Sequence, residues 1–233
     1  VSTTGLIDSH RQTATRRHLS ADRLGGLGGL VFVGMLIVQN ALRAKAPGFN
    51  ASPEKVTSYF IGHRAAVLVP LGMFPIEMLA LFAFVAALGS RTHDDTPWLA
   101  TVGGLGATAI ASLFAIVNIT EIVLAAKAHQ LAATPGTVQA LWTTHAAAFG
   151  LDLAAIAVTL VGLSQAAAAN GLIPAWVRVL VVPGAAFLFV TSTFTVSLAN
   201  GGPWLALALV GFVVWAIFVV AASISLLRRG STR

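Results

Sequence analysis

Cysteine is absent from this sequence, tyrosine occurs once, and only eight residues are acidic. Without cysteine there is no disulfide framework, no thiol chemistry and no Fe–S cluster or zinc ribbon. Charge is scarce as well: Asp, Glu, Lys and Arg make up 9% of the 233 residues, where a soluble domain carries about a quarter. With 57% apolar residues and a mean hydropathy of +0.85, the composition excludes a soluble domain, disorder and collagen-like repeats. An integral membrane protein is what remains.

Six apolar stretches are long enough to cross the hydrocarbon core, which takes roughly 20 residues of helix. They are Leu24–Leu42, Ala65–Leu88, Trp98–Ala126, His145–Gln165, Pro174–Leu198 and Pro203–Leu227. Gly and Pro punctuate the links, as at Pro47-Gly48, Pro135-Gly136 and Gly201-Gly202-Pro203. The period-2 alternation of a barrel is missing, so the expected fold is all-α, a polytopic membrane helical bundle of six transmembrane helices. Residues 1–23 read as a polar cytoplasmic tail, 24–229 as the transmembrane domain and 230–233 as a C-terminal tail.

Orientation follows from the loop cations. With the N-terminus inside, the inner segments hold nine: Arg11, Arg16, Arg17, Arg23, Arg91, Arg178, Arg228, Arg229 and Arg233. The outer segments hold five, namely Arg43, Lys45, Lys55, Arg64 and Lys127, so both termini are expected in the cytoplasm of a bacterial inner membrane. The net charge of +6 thus describes membrane-flanking arginines and gives no nucleic-acid partner. Thr15-Arg16-Arg17-His18-Leu19 and Ala44-Lys45-Ala46 together resemble a twin-arginine signal peptide. Five further spans are unusual cargo for that route, and retention of the first span is the expectation.

One segment recurs. Ala51–Ala66 aligns with Ala133–Ala148 at an offset of 82, with six of sixteen positions identical, His63/His145 among them. Ser52 or Thr134 suits an N-cap and the following proline suits the first helical position. Each copy is expected to begin a short interfacial helix that runs into span two or four, with Tyr59, Phe60 or Trp142 at the lipid–water boundary. Shared caps and belt aromatics explain the prolines and the rings without true repetition, but they do not require the histidines.

Polar groups within spans are costly and mark functional sites by default. The candidates are Glu77, Asn118, Glu121, His145 and Asp152, with the span-five hydroxyls around Thr191–Ser197, Thr195 among them. Asn118 and Glu121 share a helical face, as do His145 and Asp152, which are seven residues or roughly 10 Å apart. Most lie in the outer half of their spans, which predicts a pocket opening outward with Glu77 at its floor near the midplane. Pro70 and Pro75 bend span two beside Glu77 and free carbonyls there. Each residue also has a structural reading: Glu121 pairing with Lys127, or Glu77 and Asp152 hydrogen-bonded across helices. His63, Glu121 and His145 form a metal-ligand set by residue type, although no tight His pair occurs and the cofactor stays open. The glycine stretches Gly25–Gly29 and Gly103–Gly106 lack the lysine of a phosphate loop and read as close helix packing, within the chain or between protomers.

Leu141-Trp142-Thr143-Thr144-His145, Gly171-Leu172-Ile173-Pro174-Ala175-Trp176 and Pro203-Trp204-Leu205-Ala206 resemble those of small, uncharacterised six-span membrane proteins of actinobacteria. The resemblance implies the fold and no activity. In size and intramembrane acids the chain is also similar to small membrane-bound terpene cyclases, without a matching motif. Three readings follow. The leading one is a protein that binds or transports a small ligand, with proton coupling, through Glu77, Glu121, His145 and Asp152. The alternative is a membrane-embedded enzyme using Asp152 or Glu77 as general acid on an isoprenoid or lipid. The third is an accessory subunit without a site, docked to a partner or a second copy. An open polar pocket, a closed apolar cavity ending in one acid, or no cavity would tell them apart.

Overall fold

A computed structural model describes residues 4–92 and 97–229. Eight helices follow in order: α1 (Thr4–Leu42), α2 (Pro53–Gly62), α3 (Arg64–Thr92), α4 (Pro97–Leu131), α5 (Pro135–Ala169), α6 (Ala175–Thr193), α7 (Thr195–Ala199) and α8 (Leu205–Arg229). Six of them are long and apolar enough to span a membrane, α1 through its segment Ala21–Leu42. The chain is a multi-pass helical membrane bundle. Residues 1–3, 93–96 and 230–233, which include the expected C-terminal tail, lie outside the described residues.

The spans close a ring in the order α1, α3, α4, α5, α6, α8 and back to α1. Within it α5 is the most enclosed: 67% of its span window is buried, against 33–39% in the others. Its inward side supplies Leu153, Ile156, Leu160 and Leu163 to the main core, where Phe32 meets Trp215 and Phe84 meets Phe218 edge-on. Outward residues such as Leu79, Val179 and Val196 stay exposed, as bilayer-facing side chains do.

Lipid tails are as apolar as leucine, so helices associate in a membrane by close packing rather than by hydrophobic burial. The glycines serve that packing within the chain. A Cβ on Gly28 would stand 2.7 Å from the Ala80 carbonyl of α3, and one on Gly26 would stand 2.9 Å from the Ser223 carbonyl of α8. Between α4 and α5, a Cβ on Gly106 would stand 2.8 Å from the Thr159 backbone nitrogen and one on Gly162 would stand 2.5 Å from that of Gly103. All of these contacts lie in the half of the bundle remote from α2. There Arg91 of α3 also pairs with Asp22 of α1, and Arg229 donates to the Asn170 and Gly171 carbonyls at the α5–α6 turn. Gly171 adopts φ +61° so that Leu172 N–H can reach the Ala167 carbonyl and close α5.

At the opposite end, α2 lies on the end of α4 and the start of α5 over a second small core of Val56, Phe60, Leu124, Val138 and Trp142. The two similar segments meet here: Phe60 packs edge-on against Trp142, its counterpart at the same offset, with ring centroids 6.1 Å apart. Their local structures differ. After α2 the chain breaks at His63 before α3 starts, whereas α5 runs without interruption from Pro135 through His145. Gly62, a poor helix former, stands where the second copy has Thr144. The boundary-aromatic expectation is corrected: Tyr59, Phe60 and Trp142 are buried in protein rather than set at a lipid surface. Span five is also shorter than expected, because the helix breaks at Phe194 between α6 and α7. α3, in contrast, continues through Pro70 and Pro75.

Candidate functional site

Gln39 lies in the last turn of α1 and Arg43 just past its end, where the Arg43 N–H still bonds to the Gln39 carbonyl at 3.0 Å and keeps the two on one face. That face is turned inward, and Gln39 is buried there. Its amide nitrogen donates to the Glu77 carboxylate of α3, while its Oε1 accepts from Arg43 at 3.0 Å. The Arg43 guanidinium then reaches α4, where Nη2 lies 2.6 Å from Glu121 Oε2 and 3.5 Å from Asn118 Oδ1. Glu121 Oε1 stands 3.9 Å from His145 Nδ1 of α5, and Thr120 Oγ1 stands 3.5 Å from the same nitrogen. A continuous polar chain therefore runs Glu77–Gln39–Arg43–Glu121–His145 across four helices. Glu77, Asn118, Glu121 and His145 are all buried. Burying such groups is tolerable only because they satisfy one another.

This chain forms one wall of a cavity of about 310 Å³. α1 contributes Gln39, the turn just after it Arg43, α4 contributes Glu121, and α5 contributes Trp142, His145 and Phe149. The start of α8 closes the far side with Leu205, Leu209 and Phe212, of which Leu205 and Leu209 are exposed at the rim. The roof is the 46–49 loop. Trp142 holds it by donating its indole N–H to the Gly48 carbonyl at 3.1 Å, and Phe49 leans on Phe149 with centroids 5.5 Å apart. Trp142 also stacks on the His145 imidazole, 4.5 Å apart and 11° from parallel. The site is thus an apolar, aromatic chamber with one charged wall, the usual make-up of a small-molecule pocket.

Glu77 reaches the cavity only through Gln39, so it lies behind the wall rather than at the floor. Glu121 is paired, but with Arg43 rather than with the Lys127 of its structural reading. Asp152 sits two turns along α5 from His145, buried, with its Oδ1 lacking a hydrogen-bond partner among the described residues. Thr195 lies apart: it donates to the Ser192 carbonyl at 2.6 Å and packs on Gly150. Thr191 and Thr193 likewise bond to carbonyls four residues back on their own helix, which meets their hydrogen-bonding need locally.

His63 does not join the network. It is exposed and stacks on Tyr59 at 4.9 Å, so His63, Glu121 and His145 do not converge, and no group of three potential ligands is gathered among the described residues. Tyr59 itself faces the network's field: burial, reinforced by the Glu121 charge, pushes its phenol above the ordinary tyrosine value. The hub residues Gln39 and Arg43 are not among the sequence candidates, since Arg43 counts as a loop cation there. The legible signal is their i, i+4 spacing at the end of an apolar span. No family model, curated protein or solved structure matches this chain.

Proposed function

We propose that this protein, set in a bacterial plasma membrane with the α2 end facing outward, binds or transports a small ligand in the cavity beneath the 46–49 loop. The observation that carries the reading is the convergence of Arg43, Glu121 and His145, from three helices, on one open chamber. An accessory subunit needs no chamber, and a closed apolar reaction cavity would not carry an ion pair in its wall. Proton coupling would rest on the Glu77 and Glu121 carboxyl groups themselves, since the Gln39 amide and Arg43 guanidinium between them keep their protons.

Native mass spectrometry with elemental analysis on the detergent-purified protein tests this. The wild type should carry a discrete small mass or element that is lost from Phe149→Trp, which fills the chamber, and from Glu121→Gln. A wild type that is empty, and stays empty after incubation with a membrane lipid extract, overturns the reading. Asp152 favours a second reading, a membrane enzyme with a buried carboxyl as general acid toward an isoprenoid or lipid. It requires Asp152→Asn to abolish product formation while the fold survives.

A further inference from the structure

We propose that the ligand of this cavity is a hydrophobic organic cation, an ammonium on an aromatic or short aliphatic body, seated against Phe49, Trp142 and Phe149 with Glu121 as its counter-charge. The proposal rests on the ligand-binding reading above and adds its chemical class.

Charge balance is the first argument. Of two carboxyl groups on the polar chain, Glu121 is paired with the Arg43 guanidinium and Glu77 is held by the neutral Gln39 amide. A third buried carboxyl, Asp152, follows on α5, and among the described residues no lysine or arginine is buried to balance it. At the chamber wall itself Glu121 is the acid and Arg43 its tethered cation, while Glu77 and Asp152 lie behind the lining. Arg43 shows what the wall accepts: it is a cation tethered at the end of α1, laid on Glu121 at 2.6 Å, with its buried Nε lacking a hydrogen-bond partner among the described residues.

The rings are the second argument. Phe49 lies 6.3 Å from Trp142 and 5.5 Å from Phe149, and Phe114 and Phe212 complete the lining. Aromatic faces are the negative side of the ring quadrupole and attract a desolvated cation. An anion would meet those faces, and the one cation in the lining, Arg43, is already engaged by Glu121. The exposed Leu205 and Leu209 at the rim suit a solute with an apolar body.

Three probes of similar size separate the possibilities: benzyltrimethylammonium, benzylsulfonate and 3-phenylpropanol. Each is titrated calorimetrically onto the full chain in lipid nanodiscs. The cation should bind at least about tenfold more tightly than the other two. Glu121→Gln should weaken it by a similar factor, and Arg43→Gln, which removes the tethered competitor, should tighten it. If the sulfonate binds best, or all three bind alike, the cation proposal falls while the ligand site stands. If none binds, the ligand site falls with it. The wild-type comparison decides the matter even if a variant fails to fold.

Discussion

At the end remote from α2, α1 lies against α3 and α8 through Gly25, Gly26, Gly28 and Gly29, with no room for a methyl group. At the α2 end the same helix meets α3 and α4 through the side chains of Gln39 and Arg43, and a cavity lies between it and the start of α8. The contrast is between two ways of joining helices in lipid. Backbone-to-backbone packing gives a rigid base, because nothing can be added or withdrawn without moving a helix. Long polar side chains join helices at a distance and leave space, at the cost of burying charge. A ligand site belongs at the second kind of end.

The largest effect should come from cutting the hub of the polar end. Arg43→Ala leaves Glu121 buried without its cation and should cost about 3–5 kcal/mol, read from unfolding of the detergent-solubilised protein. Adding Glu121→Ala should restore a good part of that loss, as the two residues act as a pair. Additive losses would mean that Arg43 works alone. At the packed end, Gly28→Leu or Gly106→Leu should cost about 1–3 kcal/mol by overpacking. A methyl group on Gly34 or Gly104 would meet nothing within 4 Å, so alanine there should be neutral or stabilising by up to about 1 kcal/mol. Equal losses at all four glycines would show that the close contacts at Gly28 and Gly106 do not hold the packed end together.

Smaller effects test the roof and the paired segments. Trp142→Phe removes the hydrogen bond to the Gly48 carbonyl and should cost about 1 kcal/mol. It should also speed amide exchange in the 46–49 loop without touching that of α1 and α8 at the packed end. Ser52 Oγ accepts from Lys55 N–H, whereas the Thr134 side chain caps nothing and turns back to the Leu131 carbonyl. Ser52→Ala should therefore lower stability by about 0.5 kcal/mol and Thr134→Ala by less, measured in the same melts.

The six spans were legible because hydropathy over roughly 20 residues depends on composition and hardly on neighbours. Their ends were less so. α5 begins at Pro135, not near His145, since Thr143 and Thr144 are polar and exposed yet continue the helix, Thr144 bonding back to the Ala140 carbonyl. The glycine stretches announced close approach but not its target, which only the ring order of the helices assigns. For the site, intramembrane polarity picked out Glu77, Asn118, Glu121 and His145, which the bundle does bring together. It also picked Thr195, whose hydroxyl is satisfied on its own chain. Arg43 escaped because a cation just past a span counts toward orientation. Its reach back into the bundle depends on Asn118 and Glu121, 75 and 78 residues away in sequence.

The chain has no cysteine, so a single introduced thiol reports on one place. The most direct measurement is the rate at which a small cationic methanethiosulfonate, added from the α2 side of reconstituted vesicles, modifies Phe149→Cys in the chamber and Leu160→Cys in the main core. Rapid modification of Phe149→Cys with Leu160→Cys inert is the expected result. Equal inertness at the two positions would contradict an accessible chamber at the polar end.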